Sequence, residues 1–180
     1  WRCSISRTKV EKTLLNLPLS PAFFQDRSAV APASVKVRGV QVTVAVTDVY
    51  YGCPDIYYAA LGKTTRTETP VCCVQVEITN RNKITTAFHS WRIFEALSDR
   101  RKAALTDGGN KTYGLVSFGI DSYPVGMRQQ ADIGSGQTLS DLVLFFCDAK
   151  PTSDLELTLP CENMGGKGNV RFHIPHEMIK

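Results

Sequence analysis

Four side chains near the C-terminus carry the donor atoms of a metal site. Cys161, His173, His176 and Glu177 offer sulfur, imidazole and carboxylate ligands, a mixed set that zinc accepts. We expect His173 to point outward, away from the apolar face of its strand, and His176 follows Pro175, where that strand ends. Outside a helix the His-x-x-His spacing leaves the geometry unconstrained. Two ordinary surface histidines are therefore the favoured interpretation, and a metal site is the alternative.

A glycine-lysine cluster, Gly165-Gly166-Lys167-Gly168, lies just before these histidines. A phosphate-binding P-loop needs Lys followed by Ser or Thr at the start of a helix. Here Gly168 and Asn169 follow Lys167, and alternating apolar residues come next. The pattern predicts a flexible connection between the last two strands, with a solvated Lys167.

Six cysteines permit three disulfides, but none forms a C-x-x-C pair. Cys72 and Cys73 are adjacent, and neighbouring side chains of a strand point to opposite faces, which opposes a bond between them. We predict one buried apolar thiol here and one that is free or paired with another strand. The other four cysteines are Cys3, Cys53, Cys147 and Cys161.

No residue pattern typical of an enzyme active site occurs. G-x-S-x-G, H-E-x-x-H and EF-hand patterns are missing from the sequence, and the 17 acidic residues are dispersed. His89, in "AFHSW", is interpreted as a sheet residue. We therefore predict a protein that is not an enzyme and that uses no cofactor.

Composition limits the partners of the chain. The 180 residues, 43% of them hydrophobic, predict one domain with a full core. A net charge of +4 without a basic stripe argues against nucleic-acid binding. No window has the roughly 18 uninterrupted apolar residues of a membrane-spanning helix.

The chain begins at Trp1, so an upstream signal peptide or membrane anchor is compatible with it. Nothing in the sequence indicates the oligomeric state.

From Val35 onward, several segments of the sequence show alternating apolar and polar residues. We predict that residues 1–34 form an irregular lead-in packed on the same domain, with one short edge strand around Thr13 to Leu17, and that residues 35–180 form the folded domain. One change of parity in "VKVRGVQVTVAV" predicts a β-bulge at Gly39.

Further strands are predicted by period-two alternation. "VCCVQVEITN" reads as a half-buried antiparallel strand, whereas "LVLFFC" is apolar on both faces and is predicted to be a central strand. Residues 92–105 fit either a short helix or a strand, and the turn residues Asp107 to Asn110 favour the strand. About seven to nine strands without alternating helices predict an all-β fold, an antiparallel immunoglobulin-like β-sandwich.

Four short motifs occur in order along the chain: "VQVEITN" (Val74 to Asn80), "TDGGNKTYG" (Thr106 to Gly114), "IGSGQTLSDLVLFF" (Ile133 to Phe146) and "LELTLP" (Leu155 to Pro160). Together they resemble a broad group of bacterial immunoglobulin-like sandwich domains of unknown function, often found in secreted or membrane-anchored proteins. The resemblance covers about residues 35–175 and implies an interaction or sensory module, with no catalytic residue to carry over.

The leading hypothesis is a non-catalytic β-sandwich that serves as a binding or scaffold module of a larger secreted or membrane-anchored protein. Its ligand is unknown, and a protein partner fits it. We expect an extracytoplasmic or membrane-tethered location, although the sequence leaves a cytoplasmic location open. The alternative is a metal-binding protein that uses Cys161, His173, His176 and Glu177.

Overall fold

The computed structural model describes residues 33–37, 40–91, 102–118 and 121–180. Within these ranges the fold is all-β, as predicted, with antiparallel strand pairs and three short 3₁₀ turns. The predictions for residues 1–32 and for residues 92–101 lie outside the described residues. The thirteen strands are β1 (Ala33–Val37), β2 (Val40–Gly52), β3 (Asp55–Tyr58), β4 (Lys63–Arg66), β5 (Val71–Asn80), β6 (Thr86–His89), β7 (Ala104–Asp107), β8 (Thr112–Tyr113), β9 (Ser122–Pro124), β10 (Gln130–Ile133), β11 (Thr138–Phe145), β12 (Leu155–Pro160) and β13 (Asn169–Ile174).

The described residues thus contain more strands than the seven to nine predicted. The excess comes from strands of two to four residues, which are too short to show a period of two. The prediction of a β-bulge at Gly39 lies outside the described residues. Strands β1 and β2 on either side of it pair with each other, with Val37 opposite Val40. The register shift that the structure does contain falls between Val46 and Asp48.

Two four-stranded sheets share one core. The first sheet has the order β1-β2-β5-β11 and the second the order β13-β12-β7-β8, while β10-β6 and β4-β3-β9 form two smaller sheets. Because both large sheets contribute alternate side chains to the same buried cluster, the layers face each other as in a sandwich. The second sheet contributes Leu105, Leu155, Leu157, Leu159, Val170, Phe172 and Ile174 to this core.

The two apolar sequence patterns, on strands β5 and β11, are both buried as predicted, but β11 does not have the predicted position in its sheet. On β5, Cys72, Val74, Val76 and Ile78 enter the main core, which confirms the predicted alternation. Strand β11 is buried on both faces between Leu142 and Phe145, also as predicted. However, β11 is the last strand of its four-stranded order and is not central, although Gly114 and Val116 exchange backbone hydrogen bonds with its end.

Buried polar side chains join neighbouring segments. The amide nitrogen of Asn80 donates hydrogen bonds to Ile84 O (2.7 Å) and Ile133 O (2.8 Å). The Trp91 indole N–H donates to Pro160 O at 2.9 Å, and this bond connects the end of β6 to the end of β12. A buried donor left without a partner costs about 1–3 kcal/mol, so these bonds help to specify the arrangement of the strands.

Candidate functional site

The β12–β13 hairpin brings together titratable residues that are separate in the sequence. In its antiparallel register, Leu155 lies opposite Ile174 and Glu156 lies opposite His173. Asp154, which immediately precedes β12, therefore lies beside the end of β13. Beyond Pro175 the chain forms the 3₁₀ turn His176–Met178, which turns His176 and Glu177 toward Asp154.

We call Asp154, His173, His176 and Glu177 the histidine–carboxylate cluster. His176 Nδ1 lies 3.2 Å from Asp154 Oδ1 and 3.2 Å from Glu177 Oε2. His173 Nε2 lies 3.3 Å from the other carboxylate oxygen, Asp154 Oδ2. One ligand atom each from Asp154, His176 and Glu177 lie within 4.8 Å of one another, and His173 joins them through Asp154.

Asp154 keeps its negative charge into acidic solution. The backbone N–H of His176 donates to Asp154 Oδ1 at 2.9 Å, and this bond is the main cause that lowers the pKa of the Asp154 carboxyl. The His176 side chain lowers this pKa further. A carboxylate that is held in place and charged is a ready ligand for a cation.

The spacing of the donor atoms suits a small divalent metal ion. Zinc binds imidazole nitrogen and carboxylate oxygen at about 2.0–2.2 Å, so neighbouring ligands of a tetrahedral zinc lie roughly 3.3–3.6 Å apart. The contacts of His176 Nδ1 with Asp154 Oδ1 and Glu177 Oε2, both at 3.2 Å, are close to that separation, and they are also the lengths of hydrogen bonds or ion pairs between these groups. All four side chains are partly or largely exposed, at 45–70%. The cluster could therefore bind an ion from solution without opening the fold.

Cys161 lies apart from the other three predicted ligands. It follows Pro160, which pairs with Asn169 at the opposite end of the hairpin. Four residues of extended chain, residues 157–160, separate it from Glu156, the partner of His173, which corresponds to roughly 16 Å. Cys161 is buried, and burial raises the pKa of its thiol. The structure thus brings together His173, His176 and Glu177 and leaves Cys161 in the core.

Asp154 is the member of the cluster that the sequence analysis missed. It stands in the turn before "LELTLP", with no histidine or cysteine nearby in the sequence. The signal that could have found it is the antiparallel pairing of the last two strands. Antiparallel pairing places Asp154, which precedes β12, beside the residues that follow β13.

The glycine-lysine cluster forms a connection between β12 and β13, as predicted. Gly165 N donates to Glu162 O at 3.1 Å and Gly166 N donates to Cys161 O at 2.9 Å. These amides are thus bonded within the loop and do not face an anion. Gly165 and Gly168 have φ values of 76° and 80°, which favour glycine. Lys167 is exposed, as expected.

The adjacent cysteines point to opposite faces of β5, as predicted. Cys72 belongs to the main core, whereas Cys73 packs in a second buried cluster with Val71, Leu142 and Leu144. Cys73 Sγ donates to Val71 O at 3.7 Å, and burial raises the pKa of this thiol to about 11. The two neighbours are not bonded to each other.

A buried carboxylate, Asp141, also went unnoticed in the sequence. It is fully buried on β11, accepts a hydrogen bond from Arg128 N at 2.9 Å and contacts Ser90 Oγ at 3.3 Å. Burial raises the pKa of this carboxyl to about 7, although the hydrogen bonds oppose the rise. Asp141 joins the end of β6, the segment before β10 and β11, and its place inside the fold indicates a structural role.

Comparisons with known proteins give a structural likeness without a family. No family model and no curated protein matches the chain. The crystal structure of ycdA, a candidate lipoprotein from Bacillus subtilis, is 19% identical with a TM-score of 0.49; the match covers 81% of this chain and 38% of that protein. The yjhA protein from the same species is 7% identical, also with a TM-score of 0.49; the match covers 82% of this chain and 97% of that protein.

The chain therefore spans little more than a third of the length of ycdA. Neither likeness assigns a ligand or an activity. Among the residues that the structure describes, no helix has the length and apolar character needed to cross a membrane.

Proposed function

We propose that this chain is a non-catalytic binding module with an immunoglobulin-like sandwich architecture, part of a larger secreted or membrane-anchored protein. One observation carries the proposal. The convergent titratable groups lie at the surface, at one end of a hairpin, whereas buried polar groups such as Asn80 and Trp91 bond to backbone carbonyls. Exposed charged and imidazole groups can contact a partner directly, whereas the buried polar groups are bonded within the fold, and this supports a binding surface at the cluster.

An activity screen tests this proposal. The purified chain is incubated with chromogenic ester, phosphate monoester, glycoside and peptide substrates, with and without added Zn²⁺. We expect rates no higher than those of buffer without protein, both for the unsubstituted chain and for the double variant Asp154→Ala/His176→Ala. Turnover above that background would contradict the proposal, and its loss in the double variant would place catalysis at the cluster.

The proposal also includes the cellular location of the protein. The resemblance of "VQVEITN" and the other three motifs to secreted or membrane-anchored domains supports an extracytoplasmic or membrane-tethered protein. Fractionation of the host cell with an antibody against this domain tests it. Recovery in the membrane or external fraction is expected, and recovery in the cytoplasmic fraction alone would overturn it.

A second candidate function is the binding of a divalent transition metal at the histidine–carboxylate cluster. The observation that favours it is the approach of His176 Nδ1 to two carboxylate oxygens from different segments, both at 3.2 Å. Imidazole with carboxylate suits zinc and the neighbouring first-row ions better than it suits magnesium or calcium. The ligands would be Asp154, His176 and Glu177, with His173 completing the set through a small movement of its ring.

Calorimetric titration with Zn²⁺ tests this second function. We expect the unsubstituted chain to bind one ion and the double variant His173→Ala/His176→Ala to lose that binding. Glu156→Ala is the matched control, because Glu156 is an exposed acid of the same hairpin that faces Arg171 at 4.0 Å. Cys161→Ala should also bind normally. Absence of binding by the unsubstituted chain, or equal binding by the double variant, would contradict a metal site here.

A further inference from the structure

Two buried thiols from separate parts of the chain meet in the main core. Strand β5 pairs with β11 so that Cys72 lies opposite Phe145. Cys147 comes two residues after Phe145, and side chains two residues apart point to the same side of an extended segment. Cys72 is 0% exposed and Cys147 is 2% exposed, and both belong to the same apolar cluster.

The two thiols influence each other within this cluster, because the Cys72 thiol and then its backbone N–H, acting as donors, lower the pKa of the Cys147 thiol. The Tyr51 hydroxyl donates to Cys147 O at 3.4 Å and holds this segment against the sheet. Because Cys147 lies beyond the last paired residue of β11, its backbone is not fixed by the ladder with β5.

The other described cysteines are differently placed. Cys73 faces the opposite side of β5 and donates to Val71 O at 3.7 Å. Cys53 lies between β2 and β3 and donates to Glu68 O at 3.8 Å. Cys161 begins the 3₁₀ turn after β12, and its surroundings include Glu162. Within the described ranges, Cys72 and Cys147 are thus the thiols that the fold sets against each other.

We propose that Cys72 and Cys147 form a disulfide bond when the chain folds in the presence of a disulfide oxidant. The bond would connect β5 to the segment after β11, across a long stretch of sequence. Cross-links that close long loops restrict the unfolded chain most, so the oxidised protein should be the more stable form. This inference concerns covalent structure, and it stands or falls independently of the binding function.

The chemistry is ordinary thiol–disulfide exchange. Cys147, which lies beyond the paired part of β11, reacts first as the thiolate while the core is still open to solvent. It attacks one sulfur of glutathione disulfide, the S–S bond of the oxidant breaks, and one glutathione thiol leaves. Cys72 then loses its proton, attacks the Cys147 sulfur of the mixed disulfide and displaces the second glutathione. Two electrons pass to the oxidant, and the two protons end on the two glutathione thiols.

Peptide mapping after refolding tests the proposal. The chain is refolded with an excess of glutathione disulfide, alkylated and cleaved after Arg, Lys and Glu. Cleavage after Glu156 separates Cys147 from Cys161. We expect a cross-linked pair of peptides that contain Cys72 and Cys147, a mass lower by two hydrogen atoms, and a higher urea midpoint than that of the reduced chain.

Two variants assign the bond to Cys72 and not to its neighbour. Cys73→Ala should keep the cross-link and the shift in midpoint, whereas Cys72→Ala should lose both while retaining the β-sheet circular dichroism spectrum. The peptide map of the unsubstituted chain needs no variant to fold. Recovery of Cys72 and Cys147 as free thiols in refolded protein, or of either one linked to a different cysteine, would overturn the proposal.

Discussion

The two ends of the β12–β13 hairpin differ in where their polar groups lie. At the glycine end, the loop amides bond within the loop, and Asn163 donates to Ser90 O at 2.8 Å inside the fold. At the cluster end, Asp154 and His176 lie at the surface, and their side chains face each other. The glycine-lysine sequence therefore has a structural role in the backbone of its loop. The candidate site is the histidine–carboxylate cluster at the other end of the hairpin, whose residues are less conspicuous in the sequence.

The largest predicted difference between the two ends is in stability. Met164 is 2% exposed in the main core at the glycine end, so Met164→Ala should lower the free energy of unfolding by about 2–5 kcal/mol. His176→Ala removes an exposed side chain at the cluster end and should change it by only about 0.5 kcal/mol. Urea unfolding of both variants measures this. A loss of stability in His176→Ala as large as that in Met164→Ala would make the cluster a structural element.

The glycine end was largely predictable from the sequence. Alternation in "LELTLP" and "VRFHIP" identified two strands, and glycine with lysine but no following Ser or Thr predicted a connection without phosphate chemistry. Alternation in "VCCVQV" likewise separated Cys72 from Cys73. These inferences succeeded because a period of two and the conformational properties of glycine depend only on residues that are neighbours in the sequence.

The cluster end was only partly predictable. His173, His176 and Glu177 were identified by residue type, but Asp154 and the exclusion of Cys161 depend on the register between strands. Register is the pairing of residues that are far apart in the chain, and a single sequence does not show which residues will pair. The contact between Cys72 and Cys147 went unnoticed for the same reason, and so did the position of β11 at the end of its sheet.

A second prediction concerns the buried carboxylate that is linked to the glycine end through Ser90. The pKa of Asp141 is about 7 in the folded chain and near 3.8 when it is unperturbed. As the pH rises from 3.8 to 7, the unfolded chain releases this proton first, so the folded state loses stability across that window. Asp141→Asn does not titrate there. Its stability relative to the unsubstituted chain should increase with pH, by on the order of a few kcal/mol in total.

Urea unfolding at several pH values measures this effect. Asp132→Asn, which changes an exposed acid on β10, is the control and should leave the pH dependence unchanged. A constant difference between Asp141→Asn and the unsubstituted chain across the window would show that Asp141 does not titrate there.

A third prediction tests the backbone of the glycine loop. Gly168 has a φ of 80°, and a Cβ at this position would meet no atom within 4 Å. Gly168→Ala should therefore destabilise the fold through backbone strain alone, by about 1–2 kcal/mol. Gly108→Ala is the matched control, because its Cβ would also meet no atom within 4 Å and its φ lies outside the left-handed region. Equal thermal midpoints for the two variants would contradict the strain argument.

The smallest predicted effect is at Asp154, and its pH dependence has the opposite sign to that of Asp141. Because the His176 backbone N–H and then its side chain lower the pKa of Asp154, the folded state gains stability above the usual carboxyl pKa of 3.8 and loses it as the pH falls through the folded value. Asp154→Asn should thus be less stable than the unsubstituted chain near neutral pH. It should equal that chain once Asp154 is protonated.

A double-mutant cycle with His176→Ala separates the two causes. The backbone N–H of residue 176 still donates in that background, so Asp154→Asn should retain most of its effect there and lose only the part due to the imidazole. Unfolding midpoints near neutral pH and at successively lower pH, until the difference between the variants stops changing, supply the comparison. If the deficit of Asp154→Asn persists unchanged in acid, its origin is packing. Asp154 would then have no linkage to pH, in contrast to the buried carboxylate Asp141.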